Sequence, residues 1–349
     1  MASEAMLFNL EVDSGDAIVL YFVPDGAAGV ATIIARSNGE KVLSLAANET
    51  RQALVDAGRH QTGECGFRIH EGVLPGLGGM VDLEFYDPDT KLLIYRRPDP
   101  RHLRKKILRI ETHLFPLWRL DDALKPRFQY FARGIEALGR ETTTQLFLLN
   151  HVNSVYLSGR VLYSNYRNYI ESHFETIFVM HHPYEEMAER LLVLGQIKKL
   201  GADVLGMRDG ISLHSTIEYA QSLPVHDEDA LRKALSKMPA SVAHALSNPV
   251  VRQLTARAPD EMPPGRAVST ALDILASFTV VGLRRQPETV LSAVAEMTES
   301  DPMALPDFTK FRSVGTLARA LKRSRIVEPL LEKDLELYDH VASAFKKLQ

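Results

Sequence analysis

Cysteine is nearly missing from this chain. The single Cys65 among 349 residues excludes an intrachain disulfide and any thiolate-rich metal site, and it fits a reducing compartment. No run of about 18 apolar residues occurs, so no membrane-spanning helix is expected. An excess of either charge is also lacking. The 41 Lys and Arg against 44 Asp and Glu leave a formal net charge of −3, which excludes a generally basic nucleic-acid binder while permitting a local basic patch. The first residues, MASEAMLFNLEVDSGD, carry acidic groups early and no apolar core after a basic start. A signal peptide is therefore not expected, and the expected location is cytoplasmic, with any membrane contact peripheral.

What is present is an ordinary globular composition, 45% hydrophobic and 24% charged. The chain is long enough for two domains, because single cores stop growing at roughly 250 to 300 residues. Residues 1 to about 95 read as all-β. Strand-like runs cover Ala17–Val23, Val30–Ala35, Lys41–Leu45, Gly66–His70, Val81–Tyr86 and Lys91–Tyr95. Asn38-Gly39 marks a hairpin, because both central positions of that turn need φ > 0. Glu49–Gly58 makes one short helical turn closed by Gly58. Short strands with turn chemistry between them predict a small sandwich. The run RQALVDAGRHQTGECGFRI, with Arg51, Leu54, Ala57-Gly58 and Gly66-Phe67, resembles the β-sandwich module that accompanies glycosyltransferase and sulfotransferase domains in bacterial surface-polysaccharide proteins.

A basic stretch follows. Residues 96–109 hold seven Lys or Arg in fourteen, with Pro98 and Pro100, and read as a solvated linker at a domain boundary. The same charge would suit an anionic polymer, a nucleotide or a membrane surface. The expected division is 1–97 for the sandwich and 98–349 for an α/β domain with a mainly parallel sheet, flanking helices and a helical insertion at about 196–265. Within it, Thr144–Leu149 is a strand candidate and Asn153–Glu171 a helix whose Tyr156, Tyr163, Tyr166 and Tyr169 form one packed stripe, core or interface. The clearest unit is Glu175–Leu194. It reads as a buried strand over Thr176–Met180, a turn at His181-His182-Pro183, and a helix from Tyr184. Strand Phe278–Leu283, helix Pro287–Met297 and a last helix over Ile326–Leu348 complete the pattern. In open α/β folds ligands sit at such strand ends, so the residues around His181 are the first place to look for function.

Two segments of this second part resemble the carbohydrate sulfotransferase family. The run VEPLLEKDLELYDHVASAF matches its closing D-x-E-L-Y pattern through Asp334, Glu336, Leu337 and Tyr338, and FTVVGLRRQPETVLSAVAEM has the shape of the strand and helix before that close. The Met180, Pro183 and Glu185 turn fits the family's L-R-D-P-x-E-R turn. The resemblance implies a P-loop-type fold and transfer of a sulfuryl group from 3′-phosphoadenosine 5′-phosphosulfate to a hydroxyl of an oligo- or polysaccharide in bacterial surface-polysaccharide biosynthesis. It places the donor's phosphosulfate loop at Asn150–Val155, where His151 and Ser154, with Ser158 and Arg160 a turn later, supply donors. That loop has no lysine and no glycine, and His181 stands where the family has arginine, with Glu189 and Arg190 further along the helix. The implied donor contacts are Ser154, Ser158, Arg160, His181 and Arg190, and the implied bases are Glu111, His113 and His151.

Rival readings come from the same residues. A fold that kept its shape and lost the phosphate loops would be a scaffold or polysaccharide-binding protein, and a glycosyltransferase with another nucleotide donor is a third; under each reading the expected partners include a second copy of the chain in a homo-oligomer. Asp227-x-Asp229 and Asp87-x-Asp89 spell the D-x-D of metal-dependent glycosyltransferases, but the first reads as a helix start and the second as a hairpin turn. His182 and Glu186 share i, i+4 spacing, which gives two ligands where a catalytic zinc wants three, so no metal site is expected.

Overall fold

The computed structural model describes residues 6–25, 29–149, 151–200 and 205–347, so the loop expectation for Asn150 and part of the expected insertion lie outside the described residues. The chain divides into two compact units. One comprises residues 1–106, 125–132 and 138–156, the other 107–124, 133–137 and 157–349.

In the first unit the alternating segments form two antiparallel four-stranded sheets. One takes β1 (Leu7–Asp13), β2 (Ala17–Val23), β6 (Glu64–His70) and β5 (Glu49–Thr50) in the order β1-β2-β6-β5. The other takes β4 (Glu40–Ala46), β3 (Thr32–Ser37), β7 (Glu84–Tyr86) and β8 (Leu93–Arg96) in the order β4-β3-β7-β8. Ile18, Leu20, Phe22, Ile33, Phe67, Ile69 and Phe85 are buried from these strands, as sandwich packing requires. The β3–β4 hairpin turns on Asn38 at φ 52° and Gly39 at φ 77°, the left-handed pair that the Asn-Gly signal anticipates. Helix α1 (Gln52–Asp56) ends in Gly58 at φ 66°.

The basic stretch is solvated only in part: Arg101 and Arg104 are exposed ahead of the strand it opens, but its first two arginines are not. Arg96 is buried, bonding Glu84 and the Phe128 carbonyl, and Arg97 pairs with Asp13 at 3.0 Å while donating to the carbonyls of Leu77, Met80 and Gly15. Its last residues enter β9 (Lys106–Ile110), followed by α2 (Trp118–Leu124), β10 (Tyr130–Arg133) and α3 (Arg140–Phe147).

Helix α3 replaces the strand expected at Thr144–Leu149. Three consecutive threonines favour a strand by propensity, yet Thr143 and Thr144 return their hydroxyls to the carbonyls of Gly139 and Arg140, which accommodates β-branched residues in a helix. The helix expected over Asn153–Glu171 is likewise corrected. Val155-Tyr156-Leu157 belongs to β11 (Val155–Gly159), and helix α4 (Tyr163–His173) begins later. Tyr156 packs between Phe128 and Phe131 from a strand, so only Tyr163, Tyr166 and Ile170 share the buried helical face.

β12 (Glu175–Met180) leads into α5 (Pro183–Gly195), with Pro183 at the first turn, where its missing N–H costs nothing. Short helices α6 (Ile197–Leu200), α7 (Met207–Ser212), α8 (His214–Ser222), α9 (Glu228–Leu235), α10 (Ala240–Leu246) and α11 (Pro249–Thr255) fill the insertion, and Asp227 caps α9 as its sequence predicts. Then come α12 (Ala267–Ala276), β13 (Val280–Leu283), α13 (Pro287–Thr298), α14 (Arg312–Lys322) and α15 (Glu328–Lys347). No described helix is long and apolar enough to cross a membrane.

Five strands pair in the order β10-β11-β9-β12-β13. β12 runs parallel to β9 and to β13, and the bonds Val155 N to Lys105 O and Glu111 N to Gly159 O set β11 in the same direction as β9. After β9 the chain goes out to β10 and returns through β11 on one side, while β12 and β13 follow on the other. The topological switch therefore lies between β9 and β12, the crevice where open α/β sheets bind ligands.

The D-x-E-L-Y residues of α15 have structural work. Asp334 accepts the amides of Val250 and Val251 at 3.1 and 2.8 Å, capping α11, and Asn248 ties the same turn by accepting the amides of Lys333 and Asp334. Burial lifts the Asp334 carboxyl to about 7 against the pull of those amides. Because its folded pKa exceeds its unfolded one, its contribution is fully present below about pH 4 and is lost as pH rises through about 7. Asp334→Asn should flatten stability between pH 4 and 7, at a uniform cost of about 1 kcal/mol for the weakened cap. Thermal melts across that range decide it; an unchanged slope in the variant would reject the assignment.

Candidate metal centre at the sheet switch point

The register of β9 and β12 builds the site. Glu175 lies opposite Ile107 and Phe178 opposite Ile110. Continuing that constant offset past the strand ends sets His181 opposite His113. Both histidines leave the sheet at its C-terminal edge, and the first turn of α5 brings Glu186 beneath them.

A buried ion network holds this edge in place. Arg109 on β9 forms a two-point bond with Asp121 of α2, at 2.8 and 2.7 Å, and a third bond to Glu111 at 2.5 Å. Ser158 of β11 donates to the same Asp121 at 3.0 Å. The Glu111 carboxylate accepts the amides of Thr112 and His113, both at 3.0 Å, and of Leu117 at 2.8 Å. It therefore fills the amide cradle after β9, where an open α/β fold would offer its backbone to an external anion. Burial opposes ionisation of Glu111, yet Arg109, His113 and the Leu117 amide hold its carboxyl well below the ordinary range.

His113 meets Glu111 through Nδ1 at 2.5 Å, which leaves its Nε2 facing the other way. Burial works against a charged His113, but the Glu111 and Glu186 carboxylates outweigh it and raise its pKa. His181 faces Glu185 through Nε2 at 3.3 Å, and Glu186 meets Arg190 through Oε1 at 3.3 Å. Each of the three side chains thus spends one polar atom on a neighbour and keeps one. The remaining atoms, His113 Nε2, His181 Nδ1 and Glu186 Oε2, are buried without a hydrogen-bond partner. They converge within 4.8 Å of one another, with Glu186 Oε2 at 3.8 Å from His113 Nε2 and 4.0 Å from His181 Nδ1. Those separations are too long for hydrogen bonds and fit atoms that share a common partner.

The charges agree. Around the triad stand four buried carboxylates, Glu111, Asp121, Glu186 and Glu189, and three arginines, Arg109, Arg190 and Arg284, the last pairing with Glu189 at 2.8 Å. With neutral histidines the formal balance of these groups is −1. An excess of that size in a buried setting calls for a compensating cation. Two imidazoles and a carboxylate suit Zn²⁺, Fe²⁺ or a similar divalent ion, and the carboxylate partner of His113 Nδ1 supplies the outer support such ligands use.

The fold gathers Glu111, His113, Ser158, Arg160, His181 and Arg190 from the sequence-derived candidates, but in other roles. Glu111 positions His113, Ser158 bonds Asp121, and Arg190 bonds Glu186 and the Thr112 carbonyl. Arg160 is closed between Glu136 and Asp209, at 2.9 and 2.8 Å. Gly159 makes that closure feasible, since a Cβ there would stand 2.8 Å from the Ile135 amide. His151 and Ser154 fall elsewhere. They precede β11 rather than follow it, and the Ser154 hydroxyl accepts the Gln129 amide at 3.0 Å. The misplaced strand assignment moved the expected loop to the wrong end of β11. His182, which sequence spacing pairs with Glu186, packs instead on Tyr338 and Tyr184. Glu186 as a partner of His113 and His181 was not legible in spacing, because residues 113 and 181 meet only through strand pairing.

Compared with protein-family models, curated proteins and solved structures, the chain matches none.

Removing the buried cation from the network should be expensive. Arg109→Met leaves Asp121 and Glu111 without their counter-charge, an expected loss of ~3–5 kcal/mol in urea unfolding. A loss below about 1 kcal/mol would show that these charges are not a buried, mutually dependent set.

Proposed function

We propose that this chain is a metal-dependent enzyme whose divalent ion is held by His113 Nε2, His181 Nδ1 and Glu186 Oε2, and that it catalyses hydrolysis or group transfer at the β9–β12 crevice. The observation that carries the reading is the convergence of three buried polar atoms without partners on side chains whose other polar atoms are fixed. When bound, such an ion polarises an oxygen of the substrate or lowers the pKa of a water. The chain's own residues do the rest. Glu111 selects the His113 tautomer, Glu185 orients His181, and Arg190 holds Glu186. His181, with its side chain 10% exposed, is the member of the triad that borders open space, a cavity of about 280 Å³.

Metal-depleted protein titrated with Zn²⁺, Mn²⁺ or Fe²⁺ should take up one ion per chain. His113→Ala, His181→Ala and Glu186→Gln should each abolish that uptake, Glu111→Gln should weaken it ~10–100-fold, and His182→Ala should leave it intact. Calorimetry with metal analysis decides the matter, and uptake that survives all three ligand substitutions would reject the reading.

A second reading is sulfuryl transfer on a P-loop-type, sulfotransferase-like fold acting on a sugar hydroxyl. It is favoured by the D-x-E-L-Y close, whose Tyr338 reaches His182 after β12 at 4.8 Å and stacks under Arg285 at 5.2 Å. With the cradle after β9 filled by Glu111, the nucleotide's phosphates would have to use the cations beside His181. Saturable binding of adenosine 3′,5′-bisphosphate would support this reading, and no heat at millimolar nucleotide would remove it.

A further inference from the structure

The cavity beside His181 is built from the ends of β12 and β13, from α5, and from the start of α14 with the segment ahead of it. Its walls include Arg284 and Arg285 after β13, Lys310 and Phe311 before α14, and Glu185 and Glu189 of α5. Glu189 and Arg284 neutralise each other, and Arg284 is further fixed by the Thr309 carbonyl at 3.0 Å. Glu185 faces His181. Two cations are then left over, since neither Arg285 nor Lys310 makes an ion pair among the described residues. Arg285 is nonetheless held, because its guanidinium lies 5.2 Å over the Tyr338 ring. Phe311, set edge-on against Phe115 at 5.0 Å, supplies an apolar wall.

Two cations without an ion-pair partner that line one space beside His181 suit an anion. A guanidinium held over a ring and an ammonium beside it together suit a tetrahedral oxyanion. A volume of about 280 Å³ lies at the low end for ligand sites, enough for one such group on a small body.

We infer that this cavity binds the oxyanion of a sulfate or phosphate ester, clamped by Arg285 and Lys310 with one oxygen turned toward His181 and the ion beside it. The inference rests on the metal reading above and names the substrate class for that site. Arg285 and Lys310 bind and orient the anion; Phe311 packs against the remainder of the substrate.

The test uses the full chain, metal-depleted or loaded with one equivalent of Zn²⁺, with inorganic sulfate, inorganic phosphate and acetate as probes in calorimetric titrations. Sulfate or phosphate should bind the loaded protein at least tenfold more tightly than the depleted one, and whichever binds more tightly identifies the ester. Arg285→Gln/Lys310→Gln, both at exposed positions, should lose at least tenfold in anion affinity while taking up Zn²⁺ as the parent does. Normal Zn²⁺ uptake with no oxyanion binding overturns the inference and leaves the metal reading standing. Oxyanion binding that the double variant loses, in a protein that takes up no metal, supports the anion site and removes the metal reading. Acetate binding as tightly as sulfate and phosphate, or anion affinity unchanged in the double variant, also overturns it.

Discussion

An excess of buried negative charge at the C-terminal edge of the parallel sheet constrains the second unit more than any other feature. Carboxylates removed from water must be ionically compensated or hydrogen-bonded, and here each one is assigned. Asp121 and Glu111 share Arg109, Glu189 takes Arg284, and Glu186 takes Arg190. These pairs connect β9, α2, α5 and the residue after β13, so the same bonds that neutralise the charge also fix the relative positions of the strand ends. The compensation falls short by one, and the shortfall sits where three buried polar atoms have no hydrogen-bond partner.

Glu111 shows how one residue redirects the chemistry of a fold. Amides after a central parallel strand form a natural anion cradle. Placing a carboxylate at the last position of that strand lets the chain fill its own cradle, and the amides of Thr112, His113 and Leu117 all close on it. The crevice is then closed as a backbone site for phosphate, and the proposed cation would be held there by side chains. The proposed anion site lies outside it, at cations that no carboxylate pairs with among the described residues.

The sequence made the local signals plain. The Asn38-Gly39 hairpin, the Gly58 helix stop, the Asp227 cap and the strand–turn–helix of Glu175–Leu194 all form as their residues predict, because each depends on chemistry within a few positions. Failures came where short apolar runs fit two periods. Thr144–Phe147 became helical within α3, where the hydroxyls of Thr143 and Thr144 found carbonyls one turn back, and Val155–Gly159 became a strand among buried aromatics. Both errors moved the expected loop and misplaced His151 and Ser154. The basic stretch was read as solvated throughout for a different reason, since composition does not show that Arg96 and Arg97 are bonded inside the sandwich unit.

Alone, the sequence determined the class of fold and the importance of the turn at His181, since a continuous apolar strand ending in polar residues carries both pieces of information locally. It also named Glu111, His113 and His181 as residues to examine. Only tertiary structure decided their relation. Parallel pairing with a constant register sets His181 opposite His113, and a one-residue change in that register would turn one of them to the other face of the sheet. That is why the choice between His181 and His182 as the partner of Glu186 rested on strand pairing and not on spacing along the chain.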